Sequence, residues 1–149
     1  MKPDLVIGLG NSLMGDDGAG AAAAEVLAND RRLARRTDVI AAGTDVLRCA
    51  HQMERRRRVV LVDAVEGEVP GEILVLRRPE ARATTHAHHL SAPEMLALLR
   101  QVTPSLHETE FTWVLVTVPA ATAGAQLSPE VAAAIPRVAE RVRQELRRR

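Results

Sequence analysis

The stretch "VVLVDAV", residues 59–65, restricts the possible folds of this chain more than any other part of the sequence. Apart from Asp63 it is apolar throughout and rich in β-branched residues, so it is predicted to be a strand. A strand with apolar side chains on both faces must be covered on both, as in a parallel sheet between helix layers. We therefore expect an α/β protein. Its 149 residues fit one domain, residues 1–149.

Two scarce residue types exclude several classes of protein. Lys2 is the only lysine, so a phosphate-binding lysine after a glycine loop and a Schiff-base lysine are both excluded. Cys49 is the only cysteine, so no internal disulfide is expected, and it is interpreted as a buried structural residue. No secretory signal and no apolar stretch long enough for a membrane span is visible, which predicts a soluble, cytoplasmic protein without a membrane partner.

The arginines do not indicate a nucleic-acid partner. Basic runs occur at Arg55–Arg58 and Arg147–Arg149, but Phe111 and Trp113 are the only large aromatic side chains available for base stacking. We interpret both runs as solvated surface, with the second at the end of a helix, where cations favour the helix dipole.

Apolar patterns predict strands alternating with helices. Asp17 is expected near the start of the first helix, where an N-cap acid belongs, and Thr44 is a possible cap of the second. Pro136 is expected to kink or divide the last helix. The predicted strands are 5–10, 39–42, 59–65, 72–76 and 112–118, and the predicted helices are 18–28, about 46–53, 93–102 and a long one from 128.

One connection is too short for a parallel crossover. Only "EGEVPG", residues 66–71, separates the third strand from "EILVL", residues 72–76. Parallel neighbours need a dozen or more connecting residues. The fourth strand is therefore predicted to run antiparallel to the others.

Acids and histidines are predicted to meet at one edge of this sheet. Ligands of open α/β sheets bind outside the carboxyl ends of the strands, here between the first and third strands. Asp17 follows the first strand and Asp63 ends the core of the third. If the fourth strand is antiparallel, it ends at the opposite edge of the sheet, and the segment after it must return to the carboxyl edge. That segment can bring its histidines there; these are His86, His88 and His89.

The start of the chain resembles a nucleotide-binding loop but carries the wrong charge. In "IGLGNSLMGDDGAG", residues 7–20, the adjacent acids Asp16 and Asp17 would repel a phosphate. Carboxylates together with imidazole, and no cysteine cluster, suit a divalent ion such as nickel or zinc in a site with open positions. A metal site is one interpretation; an N-cap acid, a turn-bonding acid and solvated histidines are the alternative.

Four segments resemble the [NiFe]-hydrogenase maturation endopeptidases in order and spacing. They are "GLGNSLMGDDGAG", "VVLVDAV", "HAHHLSAPEML" and "VPAATAGAQLSPEV". The resemblance implies a three-layer α/β/α sandwich of the phosphorylase/hydrolase-like kind, with a mixed five-stranded sheet of order 2-1-3-5-4 and strand 4 antiparallel. It also implies an endopeptidase that removes the C-terminal extension of the hydrogenase large-subunit precursor after nickel insertion.

The same resemblance assigns residues to the site. It implies that Asp17, Asp63 and His88 bind nickel, with His86 as the fallback ligand, and that the precursor itself supplies the ion, for which zinc or cadmium could substitute. Asp17 and Asp63 are also the catalytic candidates, either as an aspartic-type pair or beside a metal that activates water or the scissile carbonyl. The residues expected to contact the substrate are Asn11, Asp16, Gly43 and Thr44.

Two other functions remain open from the sequence. A serine hydrolase could use Ser12, Asp63 and His88, although Met14 stands where a nucleophile elbow requires glycine. A non-catalytic nickel- or nucleotide-binding module of the same fold is the other alternative. Against nucleotide binding, Leu13 occupies the sixth position of the G-x-G-x-x-G pattern.

Overall fold

Parallel strand pairs build most of the sheet. The computed structural model describes residues 1–77, 92–120, 124 and 126–149. In these ranges the strands are β1 (Asp4–Gly8), β2 (Thr37–Ala41), β3 (Arg58–Glu66), β4 (Ile73–Leu76) and β5 (Glu110–Val118). They form one sheet of order β2-β1-β3-β5-β4, in which only the β4–β5 pair is antiparallel. The predicted sheet order and the antiparallel fourth strand are confirmed.

Helices cover both faces of the sheet, as the apolar third strand predicted. The helices are α1 (Ala19–Ala28), α2 (Ala50–Met53), α3 (Ala92–Val102) and α4 (Pro129–Arg147). On one face α1 and α4 pack on a core that includes Val60, Val62 and Val114. On the other face the 3₁₀ turn Val46–Cys49, α2 and α3 pack around Leu61 and Trp113. Among the described residues, no helix has the length and apolar character needed to cross a membrane.

The centre of the sheet is fully buried. Residues 59–62 of β3 have no exposed surface, which confirms that this strand is buried on both faces. Burying one such Val or Leu side chain stabilises the fold by about 1.5–3 kcal/mol. Cys49 lies in this core and is 3% exposed, as expected of a structural cysteine, and burial raises the pKa of its thiol.

The first arginine run is only partly solvated surface, and the expectation was wrong for Arg56 and Arg58. Arg56 and Arg58 are buried, whereas Arg55 and Arg57 are exposed. The Arg58 guanidinium donates to the backbone oxygens of Glu145, Leu146 and Arg148 at 2.8, 2.9 and 3.0 Å. These carbonyls lie at the end of α4, where helix carbonyls lack the usual backbone donors. The Glu145 carbonyl also accepts the N–H of Arg148 at 3.3 Å, and the buried arginine supplies the further donors.

Two details of the helices also differ from expectation. Pro136 lies on the exposed face of a continuous α4 and does not divide it, because the carbonyl that loses its donor, that of Ala132, lies at an exposed position. Asp45, and not Thr44, caps the turn that begins at Val46, accepting the N–H of Leu47 at 3.0 Å. Aspartate is the stronger N-cap residue of the two.

Candidate active site

Asn11 organises the loop that connects β1 to α1. Its backbone N–H donates to Asp17 Oδ2 at 2.7 Å, and its own Oδ1 accepts the N–H of Leu13 at 2.9 Å. Its carbonyl accepts the N–H of Met14 at 3.0 Å, and the Asp17 N–H returns to the Met14 carbonyl at 3.1 Å. Asp17 therefore lies in a 3₁₀ turn, Gly15–Gly18. It was expected to be the N-cap of α1, but Gly18 takes that position.

Gly10 allows this loop to fold back on itself. Its φ is +111°, and a Cβ at this position would lie 1.9 Å from the carbonyl oxygen of Asp17. Only glycine accepts both the left-handed backbone and the close approach. The Gly10 N–H also donates to the carbonyl of Gly43 at 2.7 Å, which joins this loop to the one after β2.

Asp63 follows the last residue of β3 that pairs with β1. The register of these strands ends at Gly8 opposite Val62, and the Leu9 N–H adds a bond of 2.8 Å to the Val62 carbonyl. The next β3 residue, Asp63, is half-buried, and its Oδ1 accepts the N–H of Ala64 at 2.8 Å. By strand alternation its side chain shares the face of Leu61, which α3 covers.

The environment of Asp63 disfavours its charged form. Burial raises the pKa of Asp63 from 3.8 to about 6, the Ala64 N–H opposes that rise, and the negative charge of Asp17 adds to it. Asp17, in the loop after β1, and Asp63, near the end of the adjacent parallel strand β3, thus share the carboxyl edge of the sheet. Within the described ranges neither carboxylate forms an ion pair with an arginine, lysine or histidine.

The two carboxylates repel each other, and no cationic side chain of the described ranges pairs with either. Such a pair suits the binding of a positively charged ligand. One oxygen of each accepts a backbone N–H, so each carboxylate is oriented by the main chain. The candidate third ligand, His88, and its neighbours His86 and His89 lie outside the described residues. Inside them, no group of three or more His, Cys, Asp and Glu side chains could hold a metal ion.

Asp16 has a different position from its neighbour Asp17. It is 1% exposed, and its Oδ1 accepts the N–H of Ser128 at 2.7 Å. Ser128 precedes the first residue of α4, so Asp16 binds the start of that helix. This contact joins the loop after β1 to the start of α4.

Asn11, Gly43 and Thr44 share a surface cavity of about 590 Å³. Gly43, with φ +64°, and Thr44 are both exposed at its rim. Asp45 and Arg48 also line it, and sequence reasoning missed them; the N-cap preference for aspartate was the available signal for Asp45. Ser12, the nucleophile of the serine hydrolase alternative, is exposed and lines the same cavity.

The fold and the site define an α/β protein with paired carboxylates on loops at the carboxyl edge of a mixed sheet. Residues 22–145 match the model of the hydrogenase maturation protease family. Protein FrxA of Pyrococcus furiosus is 34% identical over 135 residues, which cover 85% of this chain and 93% of that protein. The chain therefore belongs to the hydrogenase maturation protease family.

Solved structures agree with this assignment. The hydrogenase maturating endopeptidase HybD of E. coli superposes with a TM-score of 0.77 and 25% identity, over 99% of this chain and 93% of that one. The [NiFe] hydrogenase maturation protease HybD of Thermococcus kodakarensis gives a TM-score of 0.75 and 30% identity, over 99% and 100%. The resemblance inferred from the four sequence segments is confirmed.

Proposed function

We propose that this protein is the endopeptidase that removes the C-terminal extension from the large-subunit precursor of a [NiFe]-hydrogenase, after nickel has been inserted. The observation that carries the proposal is the pair Asp17 and Asp63, held by separate connections at one edge of the sheet without a cationic side chain among the described residues. Membership of the protease family supports the substrate class.

In this proposal the nickel ion belongs to the precursor and is recognised as part of the substrate. Asp17, Asp63 and His88 bind it, and the two carboxylates supply the charge that attracts a cation. Relief of their repulsion on binding favours a nickel-loaded precursor over an empty one. His88 is four residues before the start of α3, the helix on the face toward which Asp63 points.

Two routes to hydrolysis use the carboxylates differently. In the aspartic-type route Asp63 carries a proton, and Asp17 takes one from the water that attacks the scissile carbonyl. Asp63 then gives its proton to the amine as the C–N bond breaks. In the metal-assisted route both carboxylates are ionised ligands of the nickel ion, which polarises the carbonyl or the water.

Because the pKa of Asp63 is raised to about 6, the two routes differ in their dependence on pH. Activity by the aspartic-type route falls as Asp63 loses its proton above that pH. Activity by the metal-assisted route rises over the same interval, because Asp63 then becomes a ligand. A pH profile of kcat/KM for the nickel-loaded precursor tells the routes apart.

Substrate contact is assigned to the cavity between the two loops. Asn11, Gly43 and Thr44 line it, and the hydrogen bond from Gly10 to Gly43 holds its two walls together. The exposed left-handed Gly43, whose Cβ position is open, leaves room for a peptide main chain to approach.

The test is cleavage of purified precursor, with and without nickel, followed by mass spectrometry of the large subunit. Asp17→Asn, Asp63→Asn and His88→Ala should each slow removal of the extension by about 100-fold or more. Glu108→Gln and His51→Ala, at exposed positions of the same residue classes, should leave the rate unchanged.

Two outcomes would contradict the proposal. Equal cleavage by the wild type and all three site variants would remove the site assignment. Equal rates for the empty and the nickel-loaded precursor would remove nickel recognition.

A further inference from the structure

The strand β2 lies at one edge of the sheet, and the backbone groups on its outer side have no neighbouring strand to bond. The Ala42 N–H donates to Gly8 at 2.9 Å, and the Arg36 carbonyl accepts the N–H of Asp4 at 3.2 Å, so even-numbered positions face β1. Backbone groups alternate along a strand, so the N–H and C=O of Val39 and Ala41 point away from the sheet. Within the ranges that the structure covers, no hydrogen bond reaches these outward groups.

A groove follows this free edge. The cavity at the end of β2, of about 590 Å³, shares the residues Ser12, Ala21 and Ala41 with a neighbouring cavity of about 420 Å³. The second cavity continues along Val39 and Ile40, with α1 as its other wall. The two cavities thus adjoin along the edge of the sheet, and we call them together the β2 groove.

Small side chains line the middle of the β2 groove, and larger ones, Glu25, Ile40, Leu127 and Arg48, line the rest. Ala21, Ala22 and Ala28 of α1 line one side, and Ala41 and the loop that contains Gly43 line the other. The alanines leave the free edge of β2 open to backbone hydrogen bonds, which adding a strand to a sheet edge requires. The cavity beside the other edge strand, β4, is lined by long side chains of α4 instead: Arg137, Glu140, Arg141 and Gln144.

The groove ends at the candidate active site. Gly43, at its upper end, accepts the N–H of Gly10, and Asn11, which follows Gly10, donates to Asp17. A chain lying along β2 and leaving the strand at Gly43 therefore arrives at the loop that carries a candidate catalytic carboxylate. The five residues of β2 span roughly 16 Å, enough to align about five residues of an extended peptide.

We propose that the precursor segment next to the scissile bond binds in the β2 groove as an added sixth strand, hydrogen-bonded to Val39 and Ala41. This inference rests on the proposed function, which supplies the peptide. A protease can cut only an extended, accessible segment, and the free edge of β2 holds a segment in that form. Recognition here is by main-chain hydrogen bonds and by the small cross-section of the groove.

The test uses peptides that span the cleavage site of the precursor, each N-methylated at a single backbone amide and labelled for fluorescence anisotropy. In an added strand every second N–H points to β2. Methylation at alternate positions should therefore weaken binding at least tenfold, while methylation at the positions between them should be tolerated. Equal effects along the whole segment would overturn the proposal.

A pair of variants tests the groove from the side of the protein. Ala21→Phe fills the groove where the two cavities meet, and should weaken binding of the unmodified peptide at least tenfold. Val26→Phe lies on the same helix but outside the groove, and should leave the affinity unchanged within about twofold. Equal affinities of the two variants and the wild type would contradict groove binding.

The same assays separate this inference from the proposed function. If the precursor is cleaved but the methylation scan is flat, edge-strand binding is wrong and the protease function stands. If the scan alternates but no precursor is cleaved, binding along β2 stands and the protease function is wrong.

Discussion

Two adjacent aspartates show how position decides the role of a residue. Asp16 is buried against the start of α4, whereas Asp17 is exposed and held by the N–H of Asn11. Asp63, from another strand, is half-buried, and burial raises the pKa of Asp63, with a smaller contribution from the charge of Asp17. The proposed chemistry depends on these different environments, because identical carboxyl groups titrate alike in water.

The raised pKa of Asp63 predicts an unusual dependence of stability on pH. Between pH 3.8 and about 6 the folded protein keeps a proton on Asp63 that the unfolded chain has lost. Its free energy of unfolding therefore falls as the pH rises through this interval, with about 1–3 kcal/mol from this one group. Asp63→Asn removes the effect and should be more stable than the wild type at neutral pH.

Urea denaturation at several pH values measures this difference. The advantage of Asp63→Asn should shrink as the pH falls toward that of an ordinary carboxyl group, because both proteins are then neutral at this position. Glu108→Gln, at an exposed site, should show no such trend. A stability gap that is the same at all pH values would show that Asp63 has an ordinary pKa.

At the level of elements, one arginine connects the start of β3 to the end of α4. Arg58 donates to three carbonyls at the end of α4 and its C-cap, and to Glu110 Oε2 at 3.0 Å, all through one buried guanidinium. Nearby, Glu145 is 2% exposed and pairs with Arg77 at 2.8 Å, which lowers the pKa of Glu145. The last helix is thus fixed to the sheet by polar contacts as well as by its apolar face.

Arg58→Ala should therefore reduce the free energy of unfolding by about 2–4 kcal/mol, because it removes the donors to the α4 end and leaves the buried Leu146 carbonyl without one. Arg58→Lys should lose less, since a lysine keeps the charge but cannot donate to all of these acceptors. Arg55→Ala, in the same run but exposed, is the matched control. Equal midpoints in urea for Arg58→Ala and Arg55→Ala would show that the contacts of Arg58 add nothing.

For the whole molecule, the sheet order brings distant loops to one edge. β1 lies between β2 and β3, so the loop after β1 lies beside both Gly43 and Asp63. Helix α1 packs closely on the sheet, and this packing fixes the position of the loop after β1. A Cβ on Gly20 would lie 2.2 Å from the carbonyl oxygen of Leu9 and 2.4 Å from that of Val62.

Gly20→Ala tests this packing, because helix propensity and tertiary packing predict opposite signs. In an isolated helix the change stabilises by up to about 1 kcal/mol. Here it forces α1 away from the sheet, and should destabilise the protein by about 1–3 kcal/mol and also reduce precursor cleavage. Thermal unfolding gives the sign directly, and a raised Tm would show that the contact is not tight.

Much of the architecture could be predicted from local patterns. The apolar run 59–65 required cover on both faces, and the short connection 66–71 required an antiparallel β4. The same reasoning failed for Arg56 and Arg58, whose sequence neighbourhood is that of a solvated charge run. Their acceptors include backbone atoms 54 and 87 residues away, which no local pattern contains.

By itself the sequence determined the type and order of the helices and strands and the edge of the sheet where Asp17 and Asp63 lie. These follow from periodicity, turn length and strand direction, all of which act over a few residues. Only the tertiary structure decided which aspartate is buried, how far the pKa of Asp63 rises and that a groove follows β2. Burial and charge interactions depend on segments far apart in the chain, and these meet only once the whole sheet has formed.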